Sequence, residues 1–247
     1  MAETSYFGIR KFVSDSLSPI LLLSLSAFVG CDWTGKPKEE DRPVPAERVM
    51  EFAPLYATHC AGCHGPDGKN GPAPPHNDAI FLAIVPDEVL HRVVAEGRNG
   101  TPMPAFAKDK GGALTEAQIE VLAKGIRSSW QPANRLPDTQ GSGLPSYWLA
   151  DAKSGDKDAG RKAFARSCAE CHGKDGKGTK EAGAVNDRAF LALASDQMLR
   201  RIIITGRPDF GMPNALKRDH PPLTSQEIND LVALLAYWRL GGDTNGK

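Results

Sequence analysis

Aromatic side chains are scarce in this 247-residue sequence, at 7%, and no basic stripe carries interleaved aromatics, which leaves nucleic-acid binding without its usual grip. Charge of either sign is not in excess: 30 Lys and Arg meet 30 Asp and Glu, so the whole chain exerts no bulk pull on polyanions or anionic lipid. The apolar run from Leu17 to Val29 covers 13 residues, short of the roughly 20 that a membrane-spanning helix needs. Cysteines number only five, and four of them fall in two tight pairs, which excludes a disulfide framework as the source of stability.

Those pairs are the informative feature. Cys60-Ala61-Gly62-Cys63-His64 and Cys168-Ala169-Glu170-Cys171-His172 both read C-x-x-C-H, the spacing for covalent attachment of a c-type haem. On one helical turn, residues three and four apart share a face, so both thiols can reach the vinyl groups of one porphyrin. The histidine that follows then points at the iron as proximal ligand. Zinc would need four ligands gathered together, and each cluster offers three. Two copies predict two covalently bound haem c groups.

In chain order, residues 1–30 read as an export leader, with Arg10 and Lys11 as the positive flank of the apolar run. The leader ends Val29-Gly30-Cys31, which resembles a bacterial lipoprotein processing site with Cys31 as the lipidated residue. Residues 31–47, rich in Pro and acidic groups, suit a solvated tether. A first unit spans 48–130, a Gly/Pro-rich linker 131–155, and a second unit 156–240. Within the linker, Tyr147-Trp148-Leu149 is apolar and is expected to pack between the units. In the first unit, Glu47 to Thr58 carries apolar residues at helical spacing, with Pro54 expected to kink the helix or delay its start. Pro86 to Glu96 reads as a helix ended by Gly97. Thr115-Glu116-Ala117-Gln118 and Thr224-Ser225-Gln226-Glu227 have the capping-box pattern.

The two units repeat one another. Cys168 follows Cys60 by 108 residues and Asn186 follows Asn77 by 109, so one residue was gained between. From there Leu90, Arg92, Gly97-Arg98 and Met103-Pro104 match Leu199, Arg201, Gly206-Arg207 and Met212-Pro213. Each Met follows its motif His by a near-equal interval (103 − 64 = 39; 212 − 172 = 40), and the proline after it stiffens the loop. Met103 and Met212 are therefore candidate sixth ligands to iron. Met50 and Met198 lack that context and read as core. Arg98 and Arg207 read equally well as charges meeting a helix C-terminus or as partners of a haem propionate. His59, His91 and His220 read as surface residues, and His76, in the loop after the first motif, as solvated.

With C-x-x-C-H-G, the following Asp-Gly-Lys (Asp67-Gly68-Lys69; Asp175-Gly176-Lys177), the Gly-Arg pair and the Met-Pro, the sequence resembles the class I cytochromes c, twice over. The resemblance implies an all-α fold: two tandem cytochrome c domains, each binding haem through its Cys-x-x-Cys-His, with Met103 and Met212 as the other axial ligands. It implies single-electron transfer between redox protein partners, a donor and an acceptor, as a shuttle or as the cytochrome subunit of a respiratory complex. The setting would be the periplasmic side of a bacterial membrane. In the family a proline carbonyl commonly receives the proximal His N–H. The first unit offers Pro72 and Pro74, whereas the second has no proline there, so the two sites are expected to differ. The rival reading, a di-haem peroxidase, needs an open distal site and acid–base groups above it, and two matched Met-Pro loops count against it. A third, a haem-based redox sensor, lacks a signalling segment.

Overall fold

Among the described residues the α-helices come as two sets of five in the same order. A computed structural model describes residues 38–131, 143–148, 155–216 and 221–243; the leader, Cys31, Leu149 and His220 lie outside them. The chain divides at Val44/Pro45 into two compact units. In the shorter, the described residues 38–44 form a single turn, Glu39–Asp41, with Arg42 paired to Glu39 at 2.8 Å. Everything from Pro45 onward, both repeats included, forms the other unit.

The first set is α1 (Phe52–His59), α2 (Ala61–His64), α3 (Ala79–Ile84), α4 (Asp87–Glu96) and α5 (Glu116–Trp130). The second is α6 (Lys157–Ser167), α7 (Ala169–His172), α8 (Arg188–Leu193), α9 (Asp196–Thr205) and α10 (Ser225–Arg239). Among the described residues there is no strand, only isolated bridges at Ala107–Leu114 and Arg207–Met212, so the fold is all-α. No helix among them is long and apolar enough to cross a membrane.

Local chemistry sets the helix ends. α1 begins at Phe52, which puts Pro54 in the first turn, where its missing N–H costs nothing. Asp78 and Asp187 cap α3 and α8, their carboxylates accepting from the N–H of Phe81 at 2.7 Å and Phe190 at 2.8 Å. The neighbouring Asn77 and Asn186 donate back to the carbonyls of Asp67 and Asp175, closing each haem-motif loop onto the next helix. Both capping boxes form, at Thr115–Gln118 and Thr224–Glu227.

The long last helix of each set carries the core. Ile119, Leu122 and Ile126 of α5, and Ile228, Leu231 and Leu235 of α10, are buried. Trp130 meets Phe52 and Tyr56 edge-on, and Trp238 meets Phe164 in the same way. One anchor departs from the 109-residue register. Arg127 donates to the carbonyls of Leu82 and Val85 and pairs with Asp87. In the second set those roles fall to Arg239, which donates to Leu191 and Ala194 and pairs with Asp196. Arg239 stands 112 residues after Arg127 (239 − 127), about one helical turn beyond the register, so its long side chain reaches the same carbonyls from the next turn.

The two capping boxes differ in charge, which has a measurable consequence. Glu227 is held down to about 2, first by a hydrogen bond from Arg166 (2.7 Å), then by the Thr224 backbone N–H (2.9 Å). A carboxylate depressed in the folded state stabilises above its ordinary value of 4.5 and loses that contribution as pH falls toward 2. Gln118 cannot titrate, and its amide instead ties α5 to the carbonyls of Ala46 and Val49. Urea midpoints measured across pH 5 to 2 should fall for the native chain (about 4.5 to about 2 being the working range). Glu227→Gln should flatten that limb, and an unchanged slope would show the pair contributes nothing.

Candidate haem sites

Each C-x-x-C-H occupies a single helical turn. Cys60 ends α1 and begins α2, and Cys168 does the same between α6 and α7. The backbone N–H of His64 bonds the Cys60 carbonyl at 2.9 Å, as does that of His172 with Cys168. This i, i+4 link puts thiols and imidazole in the one-turn arrangement that the spacing implies. Cys60 is buried, and burial pushes its thiol up to about 12, so it is an inward-facing group and not a reactive surface nucleophile. Cys63 and Cys171 are exposed and Cys168 is intermediate.

The imidazoles are oriented from behind. His64 Nδ1 donates to the Pro74 carbonyl at 2.8 Å, and His172 Nδ1 donates to the Gly183 carbonyl at 2.8 Å. A carbonyl only accepts, so it fixes the Nδ1–H tautomer and leaves the Nε2 lone pair for a metal. Burial pushes His64 down to about 4 against the opposing pull of the Pro74 bond, so the ring is neutral at pH 7. The absence of a proline in the second site therefore does not remove the bond, because a glycine carbonyl of the corresponding loop accepts it. What differs is depth: His64 is 9% exposed, whereas His172 is only partly buried.

Both Met-Pro loops are pinned to the end of the fourth helix of their set. The N–H of Arg98 bonds the Met103 carbonyl at 3.0 Å, and that of Arg207 the Met212 carbonyl at 3.0 Å. Met212 N–H returns to Arg207 at 2.9 Å. Gly97 (φ +67°) and Gly206 (φ +69°) make this approach possible, since a Cβ on either would come within 2.6 Å of Met-Pro backbone. That couples the Gly-Arg pair to the Met-Pro motif physically. Met103 and Met212 are half-buried on these loops. Met198 packs against the core, but Met50 is 42% exposed, so the core reading fails for Met50.

Neither candidate arginine stands free. Arg98 donates to the Tyr147 hydroxyl at 2.8 Å. Arg207 grips both oxygens of Asp209 and donates to the Gly71 carbonyl at 2.8 Å, across the repeats. Asp209 in turn accepts from the Asn70 N–H, and its carboxyl is held low by Arg207. Tyr147 is 3% exposed, so the described part of the expected linker packs into the protein, while Trp148 is 45% exposed.

His76 is the clearest correction. It is 7% exposed, stacks on His64 with ring centroids 3.8 Å apart, and bonds the Tyr56 hydroxyl at 3.1 Å. A polar residue in a Gly/Pro-rich loop reads as solvated, and nothing local signals that the loop folds under the motif helix. His91 pairs with Glu116 at 2.8 Å, and His59 lies against Phe106.

The donor set fits haem c: two thiols and one oriented neutral imidazole on a single turn, with a pinned Met loop, in each repeat. Residues 47–124 match the family described as cytochrome c oxidase, cbb3-type, subunit III, and residues 158–238 match cytochrome c. The chain is 32% identical over 179 residues to the cbb3-type cytochrome c oxidase subunit FixP of Bradyrhizobium sp. (strain ORS 278), covering 68% of this chain and 55% of that protein. It is 32% identical over 145 residues to subunit CcoP of Rhodobacter capsulatus, covering 54% and 42%. The chain thus spans about half the length of the curated relatives it matches. A solved reducing HAO-like protein complex of Kuenenia stuttgartiensis aligns with TM-score 0.41 at 18% identity, over 80% of this chain and 99% of that one.

Proposed function

We propose, from the premise that this chain is a di-haem member of the class I cytochrome c family, that it passes single electrons within a respiratory chain as the cytochrome subunit of a cbb3-type oxidase. The observation that carries the reading is the doubled site: each repeat holds a motif His with Nδ1 bonded to a carbonyl and Nε2 left for iron. The haem supplies a one-electron ferrous–ferric couple when bound. The chain's part would be to hold each haem through its two cysteines, histidine and methionine, an arrangement that suits electron transfer. In this reading Cys60, Cys63, Cys168 and Cys171 form the thioethers. His64 with Met103, and His172 with Met212, would hold the iron of each haem. Arg98 and Arg207 would serve propionates, alongside their bonds to Tyr147 and Asp209. The working domains are 48–130 and 156–240, with 1–30 as leader and Cys31 as a lipid attachment point on the periplasmic side. The protein is then a carrier within an enzyme complex and not itself the catalyst.

Affinity purification from detergent-solubilised native membranes tests this. Oxidase core subunits should co-purify in fixed ratio, and the mature chain should begin at an acylated Cys31. Recovery of a lone, water-soluble chain would sink the subunit reading, and an unmodified Cys31 would sink the anchor.

A further inference from the structure

Arg201 lies in the middle of α9, in the second repeat, yet its guanidinium is in the first. It is 8% exposed. Its Nη2 donates to the Pro75 carbonyl, one residue beyond the carbonyl that orients His64. The guanidinium lies 3.3 Å from the centroid of the Phe81 ring. Its Nε is buried with no acceptor among the described residues. A buried donor left unmatched is costly, and more so on a charged group. Burial pushes Arg201 down to about 9.

The surroundings deepen the imbalance. Arg98 and Arg207 add positive field at Arg201 and at His64. Asp209 neutralises Arg207. Asp78 is the carboxylate acting on Arg201, and it is already engaged as the cap of α3, with burial pushing it up. Arg98, Arg201 and Arg207 against Asp78 and Asp209 leave one positive charge over (3 − 2 = 1) beside the first haem motif. An arrangement like this is built to receive an anion, and a guanidinium with a free Nε favours a planar carboxylate. A c-type haem brings two propionate carboxylates to its pocket.

We propose that Arg201 binds a propionate of the haem carried by the first repeat, so that the second repeat completes the first repeat's haem pocket. This rests on the haem-attachment reading of Cys60, Cys63 and His64. The counterpart Arg92 does not repeat the arrangement, being exposed over the Trp148 ring at 5.5 Å. One haem is thus served across the repeats and the other is not. A positive charge beside a haem disfavours the ferric state, so Arg201 raises the potential of the first haem relative to the second. It also makes the two repeats one functional body.

The test uses the full di-haem chain. Redox titration should resolve two waves, assigned by which one Met103→His or Met212→His displaces. Arg201→Gln should move the Met103-assigned wave to lower potential and leave the other in place, with Arg201→Lys recovering part of the shift. The resonance Raman propionate-bending band should move in both variants. Two unmoved waves in a folded di-haem Arg201→Gln, or displacement of the Met212-assigned wave alone, would overturn the proposal. Should Arg201→Gln fail to retain both haems, an unchanged propionate band in Arg201→Lys overturns it equally. Failure of the underlying attachment reading shows separately, as a denatured native chain without haem-stained signal.

Discussion

Replacing Cys60 and Cys63 together by Ala should lower covalent haem from two groups per chain to one, read as haem-stained signal against protein after denaturing electrophoresis. Both thiols sit with His64 on one turn, and either Cys alone could still leave a single thioether, so the double change is the decisive one. The second site should keep its haem, because Cys168, Cys171 and His172 lie on their own turn, with an independent bond to Gly183. The loss should also be structural. Each repeat is roughly 85 residues, a size at which the buried fraction of the chain surface is low and the core marginal. Leu55, Tyr56, Cys60, Phe81 and Leu82 are all buried around the first motif, and a haem adds a large apolar plate to such a core. Thermal unfolding of the variant should therefore gain an early transition from the first repeat. A native chain that gives up its haem to acid–acetone extraction would defeat the premise, and a double variant with no haem at all would show that the sites are not independent.

The second large effect is expected at the glycine before each Met-Pro loop. Gly97→Ala and Gly206→Ala should each cost the folded chain on the order of 1–3 kcal/mol for the backbone conformation alone. The φ and ψ of Gly97 (+67°, −156°) and Gly206 (+69°, −165°) lie in a region essentially reserved for glycine. The added Cβ also meets backbone at 2.5 Å, which no side-chain rotation relieves. The loop must move away, and the residue it carries is Met103 or Met212. Each substitution should therefore abolish the methionine-to-ferric-iron charge-transfer band of its own site and lower that site's potential, since thioether ligation favours the ferrous state. The other site should be untouched. Retention of both bands at full intensity would show that the Met loops do not depend on this approach, and would weaken the assignment of Met as ligand.

The asymmetry between the sites moves from where the sequence puts it to somewhere else. The missing proline leads the sequence to expect two sites that differ behind the histidine, and the bond there is made at 2.8 Å, from His172 to the Gly183 carbonyl. A backbone carbonyl is present on every residue, so its identity leaves no mark in the sequence once the loop path is right. The differences that do exist are the deeper burial of His64 and the arginine of the other repeat that bonds the Pro75 carbonyl nearby.

What the sequence determines by itself is what acts within one or two turns of chain. The C-x-x-C-H turns, both capping boxes, the Asp78 and Asp187 caps and the helix from Asp87 to Gly97 all depend on neighbours a few residues away. The repeat register extends that legibility, because Gly97 and Gly206 recur with the Met-Pro loops they accommodate. Tertiary structure alone decides the rest. Arg201 and Pro75 are 126 residues apart (201 − 75), and Arg207 and Gly71 are 136 (207 − 71), so no periodicity or motif joins them. The match of Arg92 to Arg201 is visible as a repeat, yet one guanidinium is exposed and the other buried. The physical reason is that matching positions of a repeat acquire different surroundings once two copies pack against each other unequally. A charge that one copy leaves in water, the other must bury, and a buried charge requires a partner.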